Sequence, residues 1–190
     1  MREQLRLDCR AKRDAIPVEE RTRLNQLICQ RAALLLTELS QPPGLVAVYR
    51  KFQSEADLDS LIAKRTDLTW AYPKVVDHDL VFYRASSDED FTKGKFGIWE
   101  PLENRCAPVS LNECAVIFVP GIAFDRRGGR LGTGRGFYDR ALAHYRGIKV
   151  GVAFGCQVVD FDLPLASHDV YMDYLIAEDY TLFPLEKKRD

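Results

Sequence analysis

The sequence predicts a layered α/β/α domain with a mainly parallel sheet and N-terminal helices. Short segments that are apolar throughout, such as AVIFVP at 115–120, are typical of strands buried on both faces of a parallel sheet. Segments with helical spacing alternate with these strands, which is the order of an α/β fold. The chain has 190 residues and 46% hydrophobic content, so we expect residues 1–190 to form a single domain.

The first elements along the chain are predicted to be helices. Residues 1–15 read as a polar helix, and Pro17 opens a second helix that the QPPG segment at 41–44 ends. Ser54 is the predicted N-cap of a third helix over 54–65. Helical spacing directs six apolar side chains of the second helix toward the core: Leu24, Leu27, Ile28, Leu34, Leu35 and Leu39.

Strands are predicted where apolar runs lie between turn signals. A short helix over 136–146 separates two of these strands. The predicted strands are 45–50, 68–75, 80–86, 115–120, 149–155 and 174–178.

Composition excludes several classes of protein. The formal net charge of −1 argues against a general nucleic-acid binder. The N-terminus lacks the apolar core of a signal peptide, and no apolar run approaches the roughly 20 residues of a membrane helix. The five cysteines form no CxxC pair and the three histidines do not cluster, so we expect reduced thiols and no structural zinc. We therefore predict a cytoplasmic protein with neither nucleic-acid nor membrane partners.

The strongest functional signal is VPGIAFDRRGGRLGTGRGFYDRAL at 119–142, which joins a predicted strand to a predicted helix. Its glycines permit positive φ and let backbone N–H groups converge on an anion. Ligands of open α/β sheets gather beyond the carboxyl ends of strands. The segment contains no GxxxxGK[ST] motif. It also does not match GxGxxG, because Phe137 occupies the position of the third glycine. Five arginines add guanidinium groups that match phosphate oxygens: Arg126, Arg127, Arg130, Arg135 and Arg140.

These features support a phosphate-binding turn, with a flexible surface turn carrying solvated arginines as the alternative. Asp139, in the first turn of the following helix, has two interpretations. Its carboxylate either interacts with the helix dipole or ligates Mg²⁺ beside a nucleotide phosphate.

The N-terminal helix carries a second basic feature. At about 100° per residue, its arginines fall on one narrow face. Either this face is solvated, or it forms one side of a polyphosphate site whose other side is the glycine loop. The arginines are Arg2, Arg6, Arg10 and Arg13.

The loop RLGTGRGFYD at 130–139 resembles the signature R-L-G-x-G-x-G-[FY]-Y-D of the 5-formyltetrahydrofolate cyclo-ligase family, whose members are also called 5,10-methenyltetrahydrofolate synthetases. The RxxLR motif at 2–6 resembles the family's K-x-x-L-R. YPKV at 72–75, KFGIWEP at 95–101 and HDVYMDYLIAED at 168–179 resemble further family segments. The resemblance covers nearly the whole chain in order.

The resemblance implies an enzyme that uses ATP to convert 5-formyltetrahydrofolate into 5,10-methenyltetrahydrofolate, with release of ADP and phosphate. ATP phosphorylates the formyl oxygen, and N10 of the folate then attacks the activated carbon. A phosphoryl group in transfer needs positioning and charge neutralisation, which arginines, backbone donors and Mg²⁺ supply.

The resemblance also implies site residues. Arg130 and Arg135 are the catalytic residues, and Asp139 and Asp169 are the Mg²⁺ ligands. ATP is bound by Arg2, Glu3, Gln4, Leu5, Arg6, Arg130, Leu131, Gly132, Thr133, Gly134, Arg135, Gly136, Phe137 and Tyr138. The folate is bound by Arg50, Glu55, Phe96, Thr133, Gly134, Arg135, Gly136 and Phe137.

Three of these residues also have structural interpretations. Phe96 fits core packing as well as pteridine stacking, Glu55 fits a helix N-terminal charge, and Asp169 fits a turn. Two residues depart from the family pattern. Arg2 stands where lysine is common, and Arg50 stands where an apolar residue is frequent, with pairing to Glu55 or exposure to solvent as its two expected states.

Two other functions remain as alternatives. The first is a non-catalytic regulator that binds a nucleotide or a folate. The second is an RNA-binding module that uses the arginine face, although near-neutral charge and the absence of an RNP-like aromatic pattern oppose it. We expect a monomer acting on a small-molecule substrate.

Overall fold

Eight strands form a central sheet with helices on both of its faces. A computed structural model describes residues 1–39, 44–94 and 97–182. The helices are α1 (Arg2–Asp14), α2 (Val18–Glu38), α3 (Asp59–Lys64) and α4 (Phe137–Leu142). The strands are β1 (Leu45–Ala47), β2 (Thr69–Val76), β3 (Asp79–Arg84), β4 (Phe91–Lys93), β5 (Trp99–Pro101), β6 (Ala107–Val109), β7 (Val116–Pro120), β8 (Ala123–Asp125), β9 (Arg130–Leu131), β10 (Ile148–Val152), β11 (Val158–Val159), β12 (Tyr174–Ile176) and β13 (Thr181–Leu182).

The central sheet has the strand order β13-β12-β10-β7-β1-β2-β3-β6. Strands β12, β10, β7, β1 and β2 run parallel to one another. Strands β13, β3 and β6 at the two edges are antiparallel to their neighbours. The chain proceeds from β1 to β2 on one side and from β7 to β10 on the other, so the strand order reverses between β1 and β7. Such a switch point opens a crevice at the carboxyl ends of the two strands.

The core is divided between the two faces of this sheet. Successive residues of a strand point to opposite faces. Val46 of β1 therefore packs in one cluster with apolar residues of α2 and α3. Its neighbour Ala47 packs in a second cluster that includes Leu142 of α4. The predicted α/β/α layering and mainly parallel sheet are confirmed.

The predicted helix over 54–65 is too long. Ser54 does not cap it, because the hydroxyl of Ser54 accepts a hydrogen bond from Arg13 of α1 (Nε to Oγ, 2.9 Å). The chain between β1 and α3 is instead a loop, in which Gln53 has a positive φ of 53°. Helix α3 begins only at Asp59. A tertiary contact with α1 has replaced the local cap.

Other boundaries and one core assignment also differ from expectation. Strand β1 ends at Ala47 rather than at residue 50, and α4 is six residues long rather than eleven. Leu34 is 62% exposed on the outer face of α2, so its assignment to the core is wrong. The predicted end of α2 at 41–44 falls partly outside the described residues, which resume at Gly44.

The glycine-rich segment divides into two parts. Its first part is a hairpin of β8 and β9, in which Asp125 accepts hydrogen bonds from two N–H groups of the turn at 2.8 and 2.9 Å. The two arginines of that turn are exposed and pair with carboxylates across the surface, Arg126 with Asp160 and Arg127 with Asp162 (2.6 Å each). Neither arginine lines the crevice, so neither belongs to the turn predicted to bind phosphate there.

Two further findings bear on the expectations from composition. Four of the five cysteines are buried, and Cys156 is exposed. Within the described ranges, no helix combines the length and the hydropathy needed to cross a bilayer.

Candidate functional site

A cleft of about 610 Å³ lies at the switch point of the sheet. Tyr49 and Arg50 follow β1 into it, and Pro120 and Gly121 end β7 beside it. Its other walls come from α1, from the loop that precedes α3 and from the glycine segment at 132–136. A concave site of this size holds a small-molecule ligand. The crevice expected from an α/β sheet is therefore a candidate functional site.

The glycine segment presents its backbone to the cleft. Gly134 and Gly136 have φ angles of +92° and +69°, a region that residues with a Cβ seldom adopt. At Gly132, a Cβ would lie 2.7 Å from Nη1 of Arg130. Thr133 is exposed, so the backbone around it is open to a ligand. The segment can thus offer N–H groups to an anion at close range.

Arg130 is a buried cation that the loop itself holds in place. Its side chain is 4% exposed, and Nη2 donates to Oδ1 of Asp139 at 2.9 Å. Nη1 donates to the carbonyl of Pro120 at 3.3 Å, and the guanidinium lies 5.5 Å from the ring centre of Tyr138. Arg130 therefore stabilises the wall of the cleft in addition to facing the cleft.

The first turns of α1 are attached to the end of the cleft that the glycine segment lines. Arg2 donates from Nη2 to Oδ2 of Asp169 at 2.7 Å and from Nε to the carbonyl of Pro164. Arg6 donates from Nε to the carbonyl of Gly132 at 2.9 Å. These arginines pair with protein oxygens, so the solvated-face interpretation of α1 is wrong for them.

Glu55 stands at the other end of the cleft. Arg13, only 2% exposed, anchors its loop through Ser54, and the N–H of Phe52 donates to Oε2 of Glu55 at 2.9 Å. Burial raises the pKa of Glu55 above its ordinary 4.5, while the Phe52 hydrogen bond and the charges of Arg13 and Arg10 oppose that rise. Because α3 begins four residues later, the interpretation of Glu55 as a helix N-terminal charge is wrong.

Arg50 lines the cleft but takes neither of its two expected states. Its Nη1 donates to Asp59 at 3.3 Å and its Nη2 to Asp88 at 2.6 Å. The guanidinium also lies 4.4 Å from the ring centre of Phe91 and 5.6 Å from that of Tyr72. Arg50 thus connects the end of β1 to Asp59 and to Asp88, and its partners are not Glu55 or solvent alone.

Asp139 and Asp169 both line the cleft, and each is paired with an arginine. Burial alone would raise the pKa of Asp169, but the N–H of Ala166 and the guanidinium of Arg2 hold it below its usual 3.8. No three His, Cys, Asp or Glu side chains within 1–39, 44–94 and 97–182 are grouped so as to hold a metal ion. Mg²⁺ usually takes one or two carboxylates and completes its shell with water and phosphate oxygens. This donor set therefore fits Mg²⁺ bound together with a phosphate.

The structure brings most of the predicted site residues together. Two residues of the predicted ATP set lie elsewhere, since Gln4 donates to Asp8 on the exposed side of α1 and Leu5 packs in a cluster with Ile122 and Leu131. Phe96 lies outside the described residues. The predicted residues that line the cleft are Arg2, Glu3, Arg6, Arg50, Glu55, Arg130, Leu131, Gly132, Thr133, Gly134, Arg135, Gly136, Phe137, Tyr138, Asp139 and Asp169.

Sequence reasoning missed the apolar rim of the cleft. Leu7 of α1 and two residues of the β4–β5 hairpin, Ile98 and Trp99, line it. Trp99 is 47% exposed, and Nζ of Lys93 lies 5.7 Å from its ring centre. The hairpin strands are only three residues long and carry no clear alternation, so they were not predicted. The tryptophan within KFGIWEP is the sequence signal that could have indicated this rim.

Sequence comparisons agree with the geometry of the cleft. Residues 1–178 match the model of the 5-formyltetrahydrofolate cyclo-ligase family. The chain is 35% identical over 178 residues to the 5-formyltetrahydrofolate cyclo-ligase of Haemophilus influenzae, covering 89% of this chain and 93% of that one. It is 32% identical over 181 residues to the Escherichia coli K12 enzyme of the same name, covering 88% and 95%.

Solved structures agree as well. The NMR structure of Aquifex aeolicus 5,10-methenyltetrahydrofolate synthetase superposes with a TM-score of 0.83 at 33% identity and covers 99% of this chain and 97% of that one. The 5,10-methenyltetrahydrofolate synthetase from Mycoplasma pneumoniae shares the fold, with a TM-score of 0.76 at 24% identity. A family match over nearly the whole chain and a shared fold lead to one conclusion: this chain belongs to the 5-formyltetrahydrofolate cyclo-ligase family of enzymes.

Proposed function

We propose that the chain catalyses the ATP-dependent conversion of 5-formyltetrahydrofolate into 5,10-methenyltetrahydrofolate, with release of ADP and phosphate. The observation that carries this proposal is the single cleft lined at once by the arginine face of α1, the glycine segment at 132–136 and the partly buried carboxyl of Glu55. A reaction between a polyphosphate and a pterin needs an anion site and a partly apolar site that open into each other. The cleft has both, because its arginine and glycine wall adjoins its apolar rim.

The triphosphate binds between α1 and the glycine segment in this proposal. Arg2 and Arg6 approach from the helix, and backbone N–H groups around Gly134 approach from the loop. Arg130 and Arg135 add guanidinium charge at the same wall. Guanidinium forks and backbone donors neutralise phosphate oxygens without taking part in covalent chemistry, which is what phosphoryl transfer requires. Glu3, at the mouth of the cleft, orients Arg6 through an ion pair of 3.0 Å.

Asp139 and Asp169 would hold Mg²⁺ at this end of the cleft. Bound Mg²⁺ supplies neutralisation of the phosphate charge. Each carboxylate is already oriented by a neighbouring arginine, Asp139 by Arg130 and Asp169 by Arg2. The depressed pKa of Asp169 keeps that carboxylate ionised at neutral pH, as a cation ligand requires.

The folate occupies the end of the cleft that holds Glu55. The indole ring of Trp99 and the side chains of Leu7 and Ile98 offer an apolar surface for its aromatic rings. This surface holds N10 close to the formyl carbon that phosphorylation of its oxygen has activated, and that proximity accelerates ring closure. N10 loses a proton as the ring forms. We assign Glu55 to accept that proton, since its raised pKa makes it a stronger base than an exposed carboxylate.

The test is an absorbance assay with and without ATP. Purified protein mixed with MgATP and 5-formyltetrahydrofolate should develop the near-ultraviolet absorbance of the methenyl product, with ADP and phosphate formed in equal amounts. Omission of ATP should abolish the signal. Tight binding of both substrates with no product over a long incubation would instead support the non-catalytic regulator.

We further propose that the enzyme works as a monomer in the cytoplasm. The described residues of one chain supply both the arginine and glycine wall and the Glu55 wall of the cleft. Sedimentation equilibrium should return a mass near 21.7 kDa. A mass of twice that value would contradict the monomer.

A further inference from the structure

One arginine of the α1 face has no hydrogen-bond or ion-pair partner among the described residues. Arg2, Arg6 and Arg13 each donate to a protein oxygen. Arg10 lines the same cleft, yet neither an ion pair nor a hydrogen bond is found for its side chain within the described part of the chain. Its Nε is fully buried. Buried polar groups in proteins nearly always have a hydrogen-bond partner, so this one points to an acceptor that a ligand brings.

The position of Arg10 along α1 restricts what that ligand group is. Arg6 contacts Gly132 at the nucleotide end of the cleft. Arg13 contacts Ser54, the neighbour of Glu55, at the folate end. Arg10 lies one helical turn, about 6 Å, beyond Arg6 on the same face. It therefore stands between the two ends.

We infer that Arg10 is a catalytic residue that binds the phosphoryl group as it passes from ATP to the formyl oxygen. This inference rests on the function proposed above. The bond from phosphorus to the ADP oxygen breaks while the bond from phosphorus to the formyl oxygen forms. Arg10 keeps all of its protons throughout, because a guanidinium does not deprotonate in proteins. Its contribution is to neutralise the charge spread over the oxygens of the group in transfer.

Two other roles of Arg10 have to be distinguished from binding of the phosphoryl group. The charge of Arg10 acts on Glu55, so loss of Arg10 also changes the environment of that carboxyl. A role exercised only through Glu55 would shift the pH profile of turnover and would leave phosphate binding unchanged. A role in binding the carboxylates of the folate would raise the KM for 5-formyltetrahydrofolate and would leave kcat unchanged.

The first measurement compares steady-state kinetics of Arg10→Gln, Arg10→Lys and a control, Lys12→Gln. Lys12 lies two residues away on the exposed side of the same helix. Arg10→Gln should lower kcat by about 100-fold, the usual cost of removing one transition-state donor. The KM values for MgATP and folate should change far less. Arg10→Lys should recover part of the loss, and Lys12→Gln should behave as wild type. Wild-type kcat in Arg10→Gln would overturn the inference.

The second measurement is calorimetric binding of inorganic phosphate in the presence of MgADP. Phosphate then occupies the place of the transferred group without any turnover. Arg10→Gln should weaken phosphate binding by about tenfold, the scale of one charge-assisted hydrogen bond, and leave MgADP binding close to wild type. Unchanged phosphate affinity would overturn the inference. Absence of methenyl product from wild type would defeat the proposed function, and phosphate binding would still decide whether Arg10 is an anion ligand.

Discussion

At the scale of single residues, two arginines of one motif are held in different ways. Arg130 is 4% exposed and paired with Asp139, whereas Arg135 is an exposed residue that lines the cleft. Removing one partner of a buried ion pair costs about 3–5 kcal/mol. A loss of activity in Arg130→Ala would therefore combine unfolding with lost phosphate contacts, which makes Arg135 the better probe of the phosphate site.

Arg135→Ala should lower kcat by about 100-fold, because it removes a charge at the proposed triphosphate site. Its free energy of unfolding should change by less than about 0.5 kcal/mol, as is usual for an exposed side chain. The absorbance assay and urea unfolding measure the two effects. Arg146→Ala, at an exposed arginine outside the cleft, is the matched control and should keep full activity. Full activity in Arg135→Ala would remove Arg135 from the phosphate site.

Glu55 gives stability a specific dependence on pH. Burial raises its folded pKa above 4.5, so the folded protein holds this proton more tightly than the unfolded chain does. The stability that the proton provides is fully present below pH 4.5 and is lost as the pH rises through the folded pKa. Glu55→Gln lacks this loss. Its free energy of unfolding relative to wild type should rise with pH across that window and then stay level. Urea unfolding from pH 4 to 8 measures it, and a flat difference would contradict the raised pKa.

At the scale of elements, the β8–β9 hairpin holds the chain that carries Asp169. The N–H of Met172 donates to the carbonyl of Gly128 at 2.8 Å. Gly128 has a φ of +83°, and a Cβ there would lie 2.5 Å from the carbonyl oxygen of Met172. Both the turn and this close approach require glycine. The same glycine-rich segment therefore forms one wall of the cleft at 132–136 and, through Gly128, supports the chain that carries Asp169.

Gly128→Ala should destabilise the fold by about 1–3 kcal/mol, from the strained φ and the clash with the backbone of Met172. Gly44→Ala is the matched control, since its φ is not in the left-handed region and a Cβ there would meet nothing within 4 Å. Its free energy of unfolding should stay within about 1 kcal/mol of wild type. Urea unfolding compares the two variants. Equal free energies of unfolding for the two variants would contradict the prediction, because the backbone near Met172 would then accommodate a Cβ at residue 128 without loss of stability.

At the scale of the whole molecule, the cleft joins parts of the chain that are far apart in sequence. Arg2 contacts Asp169 across 167 positions, and Arg6 contacts Gly132 across 126. A ligand that bridges α1 and the glycine segment therefore stabilises the whole fold. This coupling makes nucleotide binding measurable as resistance to unfolding.

MgATP at 100 times its Kd should raise the free energy of unfolding by about 2.7 kcal/mol. Arg6→Ala should show a smaller increase at the same MgATP concentration, because it loses one of the proposed contacts to the triphosphate. Adenosine, which lacks the phosphates, is the control ligand and should stabilise neither protein appreciably. Thermal unfolding with and without ligand measures these shifts. Equal shifts for wild type and Arg6→Ala would place the triphosphate away from α1.

The sequence by itself determined the layered fold, the glycine segment and most of the cleft residues. The apolar run of β7 reflects burial on both faces of a sheet, and such burial is visible in consecutive residues of the sequence. The glycines at 132–136 are equally local, since positive φ is a property of one residue. The motif RLGTGRGFYD then connected this local pattern to a family.

Only the tertiary structure decided which charged side chains meet. Arg126 and Arg130 look alike in sequence, but one pairs with Asp160 on the surface and the other with Asp139 in the wall of the cleft. The sequence likewise predicted Ser54 to be a helix cap, whereas in the structure its hydroxyl accepts a hydrogen bond from Arg13 of α1. Such pairings depend on how distant segments pack, because an ion pair or a hydrogen bond forms with whatever partner the fold brings within about 3 Å.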